Sequence, residues 1–573
     1  MEVKQVRRTR ENRGQWANKR EFVLAVLGQL IGLANFWRFP YLCFKNGGGV
    51  FLVPYLVFLL TCGIPLFFAE TSLGQFTQEG GITCWSSICL LAKGMGFSSQ
   101  LIIFYSLVDY TIILAWTFFY LFSSFSATLP WSRCNNTWNT DRCSDYGGNF
   151  TSESNATSAS TEFWLRRVLR LSGGIEEMGE VHWELAGCLL LSWILSYFCV
   201  WKGVKTSGKV VYFTATFPYL MLMVLLIRGL TLPGAVDGLV FYLYPEPARL
   251  TDIQVWMDAG NQVLTSLSLC AGCLQVLGSY NKFNNNCYRD AIYLCLVNAV
   301  TSLVAGFAVF SVLGFMSREL NQDISVVADS GPGLAFITYP SAIALMPVPQ
   351  LWASLFFIMI LLLGVDSQFL CLEAWVTSIS DMFTFFYTGR RRQFLLVSTC
   401  VVCYLLGLCM VTEGGLYVFL LSDYYGSNGM SLMLFAIIES VCIGWVYGAD
   451  RYYKNVEQMI GYRPSPYMKY CWKFVTPTLC TVILTLSLIR FTPLKYNNVY
   501  QYPWWGYGIG IFLSVSIISI IPVWVLYVLK VSTGSLRQVK PFTSSGHTHV
   551  STQKPMAGFA IQTVLRWSLS PNS

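Results

Sequence analysis

Long apolar runs recur along most of the chain and constrain its fold more than any other feature. A helix that crosses a bilayer needs about 20 consecutive, mostly apolar residues. Twelve runs are close to that length or longer: residues 22–44, 50–75, 96–125, 184–201, 210–229, 255–280, 288–316, 351–382, 394–411, 416–447, 470–488 and 505–529. Hydrophobic residues make up 54% of the chain and charged residues 12%, which excludes a disordered chain, a coiled coil or a string of soluble domains. The runs predict an all-α polytopic membrane protein with twelve transmembrane helices.

Lysine and arginine residues cluster in the N-terminal tail and in the connections after the fourth, eighth and tenth runs. With twelve spans these segments all face one side, and short loops rich in Lys and Arg stay in the cytoplasm. We therefore predict a plasma-membrane protein with both termini cytoplasmic. Its parts are an N-terminal tail over residues 1–21, a twelve-helix domain over 22–530 and a C-terminal tail over 531–573.

The connection between the third and fourth runs, residues 128–183, is then predicted to be extracellular. It holds three glycosylation sequons, at Asn135, Asn149 and Asn155, and three in one loop are stronger evidence than one. Cys134 and Cys143 lie in the same loop and are a plausible disulfide in an oxidising compartment, with two unrelated free thiols as the alternative.

The other cysteines mostly lie in apolar runs and are interpreted as small packing residues. Two CxxC patterns, Cys270–Cys273 and Cys400–Cys403, lack the βαβ context of a redox motif. We therefore predict neither redox nor metal chemistry within them.

Charged residues at membrane depth are costly, so each is a functional hypothesis by default. They are Arg38, Glu70, Asp109, Asp366, Asp423 and Glu439. For Glu70 and Glu439 a purely structural role, as a buried pair or an anchor, is at least as good an interpretation. Asp366 is followed by Ser367, and carboxylate and hydroxyl oxygens suit an alkali cation or Ca²⁺.

Two of the predicted spans carry helix-weakening residues in mid-membrane. The first has Gly28, Gly32 and Pro40, and the sixth has small and polar residues between 262 and 272. Irregular backbone at this depth persists only when it is buried in protein or lines a cavity. Two broken spans five apart indicate two halves of five helices, with freed carbonyls for a cation and helix ends for a carboxylate. These features favour a secondary transporter coupled to Na⁺.

Several ordered motifs resemble those of the neurotransmitter:sodium symporter family. They are residues 32–41 with 45–49, 70–75, 277–281, 330–335, 363–369, 411–415, 447–451 and 492–498. The resemblance extends over about residues 13–530. Residues 201–219 are most similar to the betaine/GABA, taurine, creatine and GABA transporter subgroup, with the betaine/GABA branch nearest. The resemblance implies two inverted five-helix repeats, broken first and sixth helices and two further helices.

The resemblance also implies roles for individual residues. For two sodium ions it implies Gly28, Leu30, Ile31, Asn35, Ser266, Asn298, Leu363, Asp366 and Ser367. For chloride it implies Tyr55, Gln262, Ser266, Asn298 and Ser302. For the solute it implies Gln29, Gly32, Tyr110, Leu264, Ser268 and Ala271. It also implies an extracellular gate of Arg38 with Asp423, and a cytoplasmic gate of Arg13 with Asp381, near Trp16 and Tyr280.

Gly32 bears on the class of solute. Family members that carry monoamines have aspartate at this position, and glycine instead leaves room for a solute carboxylate against sodium and the helix ends. A zwitterionic amino acid or osmolyte is therefore expected, with Tyr110 donating to its carboxylate.

The chain departs from the family around this site. Ala34 replaces a glycine, Leu30 is bulkier than the frequent alanine, Thr265 replaces a phenylalanine, and Leu107 and Asp109 replace polar and aromatic residues. A glycine-to-alanine change is severe where the backbone needs positive φ. These departures leave the identity of the solute open.

The expected function is Na⁺- and Cl⁻-coupled symport of a small zwitterionic solute by alternating access. The expected partners are that solute and the lipid bilayer, with no nucleic acid, and a homo-oligomer is left open. Three alternatives remain: a divergent, transport-poor member that binds or regulates, a channel or receptor, and a membrane enzyme. The last is disfavoured because no nucleophile–base pair is visible.

Overall fold

The structure, a computed structural model, describes residues 14–144, 157–320, 324, 333–387, 389–427, 430–490, 493–496 and 500–531. Within these residues, ten helical runs are long and apolar enough to cross a membrane, and a pair of helices bent by 53° adds an eleventh. The predicted sixth span consists of two shorter helices, and each is too short to be counted as a membrane span by itself. The predicted all-α polytopic membrane protein is confirmed, while the inverted relation between its two halves stays a prediction.

The helices of the first half alternate with short π and 3₁₀ turns. They are α1 (Lys19–Leu30), α2 (Phe39–Lys45), α3 (Leu52–Phe58), α4 (Ile64–Thr77), α5 (Thr83–Ile88), α6 (Lys93–Ser124), α7 (Ala159–Glu162), α8 (Trp183–Val200), α9 (Val204–Thr214), α10 (Thr216–Leu230) and α11 (Ala235–Leu243). The π turns are Ala34–Arg38, Leu59–Gly63 and Phe163–Val168, and the 3₁₀ turns are Gly48–Phe51, Leu90–Ala92 and Pro247–Thr251.

The second half follows the same pattern. Its helices are α12 (Ile253–Ser266), α13 (Cys273–Ser279), α14 (Cys287–Leu320), α15 (Tyr339–Ala344), α16 (Pro349–Met382), α17 (Gly389–Gly407), α18 (Gly415–Ser422), α19 (Met430–Val441), α20 (Ala449–Ile460), α21 (Tyr467–Tyr470), α22 (Thr476–Ile489) and α23 (Trp504–Val531). The π turns are Leu334–Thr338, Asp423–Ser427, Cys442–Gly448 and Cys471–Val475, and the 3₁₀ turns are Thr384–Tyr387 and Leu408–Val411.

Two small strand pairs lie outside the membrane-spanning helices. Strand β1 (Cys143–Ser144) pairs in parallel with β2 (Thr157–Ser158), so that Cys143 lies opposite Thr157. Strand β3 (Lys495–Tyr496) pairs in antiparallel with β4 (Tyr500–Gln501).

Local sequence explains where the two broken helices begin. Asn18 has extended backbone before α1, and the Glu21 carboxylate accepts a hydrogen bond from the Ala17 N–H at 2.9 Å. Before α12, the Asp252 side chain accepts a hydrogen bond from the Gln254 N–H at 3.0 Å. The Asp252 contact satisfies a donor that the N-terminus of α12 leaves unpaired, and the Glu21 contact holds the residue before the N-cap of α1.

Two long helices form the centre of the molecule and one lies at its edge. Helix α6 packs along α16, and α1 contacts both α9 and α16. In the most apolar 18-residue stretch of the span that contains α6, 72% of the residues are buried. In the corresponding stretch of α23 only 11% are buried. The apolar surface of α23 therefore faces outward, where lipid would cover it.

Candidate ion and solute site

The chain leaves helical geometry at two places that face each other across the core. Residues 31–33 separate α1 from the π turn that precedes α2, and residues 267–272 separate α12 from α13. Within the second segment Ser268 has φ +49° and Cys270 has φ +63°, a left-handed conformation that side chains other than glycine rarely adopt. Such strain persists where surrounding contacts impose it, and it marks candidate functional sites.

The predicted residues of the second sodium site converge beside the first unwound segment. Asp366 is 1% exposed, and a Cβ added to Gly28 would lie 2.6 Å from its Oδ2 atom. Ser367 Oγ donates to the Gly28 carbonyl at 3.4 Å. Gly28, Ile31, Leu363 and Asp366 line one cavity.

The Asp366 carboxylate is poorly compensated. Among the residues that the structure describes, its Oδ1 atom has no hydrogen-bond partner. Thr214, at the end of α9, lies next to the carboxylate and lines the same cavity, although sequence reasoning missed it. A buried carboxylate surrounded by hydroxyl and carbonyl oxygens fits a hard monovalent cation.

The side chains predicted for the first sodium ion also lie together. Asn35 Nδ2 donates to Asn298 Oδ1 at 2.5 Å, and Asn298 Nδ2 approaches Ser266 Oγ at 3.5 Å. The Asn35 Oδ1 atom has no partner within the described part of the chain. Leu30, 2% exposed, lies at the end of α1. This is a neutral set of oxygen ligands.

The predicted chloride residues surround the same three side chains. Gln262 Nε2 donates to the Ala34 carbonyl at 3.3 Å, and Ser302 Oγ donates to the Asn298 carbonyl at 3.0 Å. The Tyr55 hydroxyl lies beside Ser266 and Ser302 and, within the described residues, makes no hydrogen bond of ordinary geometry. Buried hydroxyl and amide donors of this kind suit an anion.

The predicted solute residues lie in or beside the two unwound segments. A Cβ on Gly32 would lie 3.0 Å from Tyr110 Oη and 3.1 Å from Ser367 Oγ. The Leu33 N–H donates to Tyr110 Oη at 3.3 Å, and Gln29 Nε2 donates to Ser268 Oγ at 3.4 Å. Leu264 accepts from the Leu269 N–H at 3.0 Å, and Ala271 is half-buried in the same segment.

Two departures from the family pattern have a clear structural setting. Ala34 begins a π turn and is not among the residues with positive φ, so its methyl group causes no left-handed strain there. Asp109 is 3% exposed, and its Oδ2 accepts a hydrogen bond from Ser427 Oγ at 2.5 Å. Asp109 therefore connects α6 to the π turn after α18.

Charged residues of the predicted extracellular gate lie together near the end of the π turn that leads into α2. Arg38 is half-buried. Its guanidinium group interacts electrostatically with the carboxylates of Asp423 and Asp258. Asp258 also accepts a hydrogen bond from Lys45 Nζ at 3.0 Å. Asp258 is a member of this group that sequence reasoning missed.

On the opposite side, Tyr280 joins an ion pair that sequence reasoning missed. Its hydroxyl donates to Glu373 Oε1 at 2.9 Å, and Arg392 Nη2 lies 2.8 Å from both oxygens of Glu373. The signals were present, because Glu373 follows Asp366 by two helical turns and Arg392 belongs to the basic connection after the eighth run. From the sequence, Arg392 indicates only topology and Glu373 receives no role.

The remaining residues of the predicted cytoplasmic gate lie near this ion pair. Trp16 Nε1 donates to the Leu277 carbonyl at 3.1 Å, and its ring packs edge-on against Tyr280 at 5.8 Å. Asp381 Oδ2 accepts from the Gly80 N–H at 2.7 Å. Arg13 lies outside the described residues.

The two buried glutamates meet at the second unwound segment. One atom each from Glu70, Cys270 and Glu439 lie within 4.8 Å of one another. The Cys270 N–H donates to Glu70 Oε1 at 2.6 Å, and the Cys270 thiol donates to Glu439 Oε2 at 3.7 Å. The glutamates thus hold Cys270 in its left-handed conformation, which agrees with the structural interpretation of their role.

The loop between α6 and α8 is organised around a disulfide between Cys134 and Cys143, whose Cα atoms are 5.7 Å apart. Glu162 accepts hydrogen bonds from the Thr140 N–H at 2.9 Å and the Thr157 hydroxyl at 2.8 Å. Burial by itself would raise the pKa of Glu162, but these hydrogen bonds outweigh it and hold the pKa below its usual value. Asn135 lies in this loop, while Asn149 and Asn155 lie outside the described residues.

Comparison with known proteins gives a consistent set of relatives. Residues 13–532 match the description of the sodium:neurotransmitter symporter family. The sodium- and chloride-dependent GABA transporter 2 of Homo sapiens is 58% identical over 532 residues, which cover 92% of this chain and 88% of the relative. The sodium- and chloride-dependent taurine transporter of Bos taurus is 53% identical over 520 residues, which cover 89% and 84%. These relatives agree with the predicted subgroup, and the betaine/GABA branch within it stays a prediction.

Proposed function

The chain belongs to the sodium:neurotransmitter symporter family, and on this basis we propose that it carries a small zwitterionic amino acid or osmolyte across the plasma membrane. It is a transporter that couples solute movement to Na⁺ and Cl⁻, and not an enzyme. The solute is of the GABA, betaine, taurine or creatine type. The observation that carries the proposal is the buried Asp366 carboxylate packed against Gly28, in the helix that leads into the unwound part of the first span.

Two sodium ions bind beside the first unwound segment. One lies between Asp366, Ser367 and the carbonyls of Gly28, Ile31 and Leu363, where the carboxylate compensates its charge. The other sodium ion is bound by neutral ligands, which are the side chains of Asn35, Ser266 and Asn298 and the Leu30 carbonyl. Chloride, held by Tyr55, Gln262, Ser302 and the shared Ser266 and Asn298, supplies negative charge near this second ion.

The solute binds between the two unwound segments, with its carboxylate at Gly32. The absence of a side chain at Gly32 leaves room for that group, and Tyr110 donates its hydroxyl hydrogen to it. The 3.0 Å between a Cβ at this position and Tyr110 Oη supports this arrangement, because any larger residue would occupy the same space. Gln29, Leu264, Ser268 and Ala271 form the rest of the pocket wall.

Transport proceeds by alternating access, with one gate on each side of the solute. Arg38 and Asp423 close the extracellular side. Arg13, Asp381 and Tyr280 close the cytoplasmic side, and the Glu373–Arg392 ion pair fixes the Tyr280 hydroxyl in that closed arrangement. The loop over residues 128–183 is extracellular, and both tails are cytoplasmic.

Uptake measurements test this proposal directly. Cells that express the chain are given radiolabelled GABA, betaine, taurine, creatine, β-alanine and proline, each with and without Na⁺ and Cl⁻. We expect uptake of at least one solute that requires Na⁺ and is stimulated by Cl⁻. Surface-expressed protein that carries none of these solutes would instead support a transport-poor binding or regulatory protein.

The chloride assignment has its own test. The variant Ser302→Glu provides a fixed negative charge where we infer that chloride binds, so its uptake should lose most of its dependence on chloride. The variant Ser311→Glu is a control elsewhere on α14, also at a buried serine. A surface-expressed Ser302→Glu protein that transports and remains fully chloride-dependent would contradict the assignment.

Orientation is tested through the loop between α6 and α8. Treatment of cell-expressed protein with an N-glycosidase should increase its mobility, and replacement of Asn135, Asn149 and Asn155 by Gln should abolish that shift. An epitope in this loop that becomes accessible only after permeabilisation of cells with surface-expressed protein would contradict the proposed orientation.

A further inference from the structure

Two cysteines from different helices meet where the second unwound segment ends and α13 begins. Cys273 is the first residue of α13, and Cys371 lies within α16. Their Sγ atoms are 3.5 Å apart, about 1.5 Å longer than a disulfide bond. The other cysteine of this CxxC pattern, Cys270, directs its thiol to Glu439 instead.

The thiol pair adjoins the solute pocket. Gln29 Nε2 contacts both Ser268 Oγ and Cys371 Sγ at 3.4 Å. Cys371 follows Asp366 by little more than one turn of α16. The pair therefore links the short half-helix α13 to the helix that carries the proposed sodium carboxylate.

The two thiols differ in accessibility. Cys273 is 1% exposed, whereas Cys371 is partly exposed. Because Cys371 is the less buried of the two residues, we expect an oxidant to react with it first, and Cys273 is in contact to react with the product. An accessible thiol beside a resolving thiol is the usual arrangement of a reversible oxidation site.

We propose that Cys273 and Cys371 form a modification site at which hydrogen peroxide closes a reversible disulfide between α13 and α16 and stops transport. The Cys371 thiolate attacks one peroxide oxygen, the O–O bond breaks, and a sulfenic acid and water result after protonation. The Cys273 thiolate then attacks the sulfenic sulfur, which forms the S–S bond and releases the second water. Two thiols are thus oxidised and one peroxide is reduced to two waters.

The reverse reaction needs a small thiol reductant. Two molecules of such a thiol, at cytoplasmic concentrations, exchange with the disulfide and restore both cysteines as they become a disulfide themselves. Disulfides that face a reducing compartment are usually transient and regulatory, which fits this position on the proposed cytoplasmic side of the solute.

The effect on transport rests on the function proposed above. Opening the pocket towards α13 requires that α13 and α16 move apart at the contact that Gln29, Cys371 and Cys273 now close. A disulfide limits the two Cα atoms to about 7 Å and so prevents that separation. Oxidation should therefore trap the transporter closed on this side.

A second thiol pair provides a matched control. Cys62, in the π turn before α4, and Cys480, in α22, have Sγ atoms 4.0 Å apart and are 1% and 2% exposed. Both are more deeply buried than Cys371, so we expect peroxide to leave them reduced at doses that oxidise Cys371.

The experiment uses the full chain in proteoliposomes. Sodium-driven uptake is measured before and after treatment with hydrogen peroxide and again after dithiothreitol, and disulfide-linked peptides are identified by mass spectrometry. We expect a several-fold loss of uptake that dithiothreitol reverses, together with a Cys273–Cys371 linked peptide. Each variant is compared with its own untreated uptake, and Cys371→Ser and Cys273→Ser should resist peroxide whereas Cys62→Ser should remain sensitive.

Two results would overturn the inference. One is equal peroxide sensitivity in the parent and in Cys371→Ala or Cys273→Ala, variants that serve if a serine variant does not fold. The other is the absence of the linked peptide from oxidised parent protein. The linked peptide is detected without transport, so an error in the proposed function would abolish uptake in every sample yet leave this second result informative.

Discussion

At the scale of single residues, the proposed sodium site depends on the close approach of Asp366 to Gly28. Removing the charge with Asp366→Asn should weaken sodium binding by about 1.5–3 kcal/mol, the usual value of a hydrogen bond or contact to a charged group. That corresponds to roughly a ten- to hundredfold higher Na⁺ requirement. The measurement is uptake as a function of Na⁺, with the exposed Asp237→Asn as control. An unchanged Na⁺ requirement would show that the ligand assignment is wrong.

Gly28 provides a second residue-scale prediction that changes no charge. The variant Gly28→Ala adds a methyl group 2.6 Å from Asp366 Oδ2, so α1 and α16 must move apart and the cation site must distort. We expect most sodium-driven uptake to be lost while the protein still reaches the surface. Gly187→Ala is the matched control, because a Cβ at that helical glycine meets nothing within 4 Å. Equal uptake in both variants would contradict this account of the site.

At the scale of elements, the ion pair between Glu373 and Arg392 joins α16 to α17. Glu373 is 2% exposed, so Arg392→Ala leaves a buried and unpaired carboxylate, at a cost of roughly 3–5 kcal/mol. Thermal unfolding in detergent should show this loss, and the double variant Arg392→Met with Glu373→Gln should recover most of it. The exposed pair of Arg249 with Glu246 is the control, where Arg249→Ala should cost less than about 1 kcal/mol. Arg392→Ala protein as stable as the parent would contradict the prediction.

The two unwound segments allow a prediction about the departures from the family. Ala34 has right-handed backbone, so Ala34→Gly relieves no strain and should change GABA or betaine uptake little. Thr265 is half-buried at the end of α12, and Thr265→Phe restores an aromatic side chain beside the pocket. We expect the gain in uptake to come from Thr265→Phe alone. A larger gain from Ala34→Gly would show that the glycine matters for a conformation other than this one.

At the scale of the whole molecule, His182 should make stability depend on pH. Burial, with the charges of Arg170 and Arg167 adding to it, lowers the pKa of this histidine to about 4 from its usual 6.5. The unfolded chain therefore binds a proton more readily than the folded one. The folded state keeps its full stability above pH 6.5. As the pH falls towards 4, protonation of the unfolded chain lowers the free energy of unfolding by on the order of 3 kcal/mol, at about 1.4 kcal/mol per pKa unit.

The variant His182→Phe tests this dependence. Its ring would lie where His182 packs 6.0 Å from the ring of Phe119, and it has no proton to bind. Thermal unfolding is measured between pH 7.5 and pH 4.5 for both proteins. We expect the parent to lose more stability than His182→Phe over that range, and parallel curves would refute the prediction.

The membrane-spanning architecture and the residue types at the site could be predicted from local features of the amino-acid sequence. The length of an apolar run is a local property that can be compared directly with the thickness of a bilayer, so the spans were predictable. Gly28, Gly32 and the polar residues of the sixth span marked the two helix breaks, since each weakens a helix where it stands. Asp366 with Ser367 indicated cation binding because a charge inside an apolar run needs a ligand or a partner.

Which of these residues meet depends on how the helices pack in three dimensions. Cys270 contacts Glu70 across 200 positions in the sequence, and Cys273 contacts Cys371 across 98. No local pattern predicts such pairs, because they depend on how separate helices pack and rotate against one another. The same holds for Arg392, which the sequence shows only as part of a basic connection and which pairs with Glu373 through the packing of α17 against α16. Pairing, and with it the closure of the proposed cytoplasmic gate, is a property of packing between helices and not of any single segment.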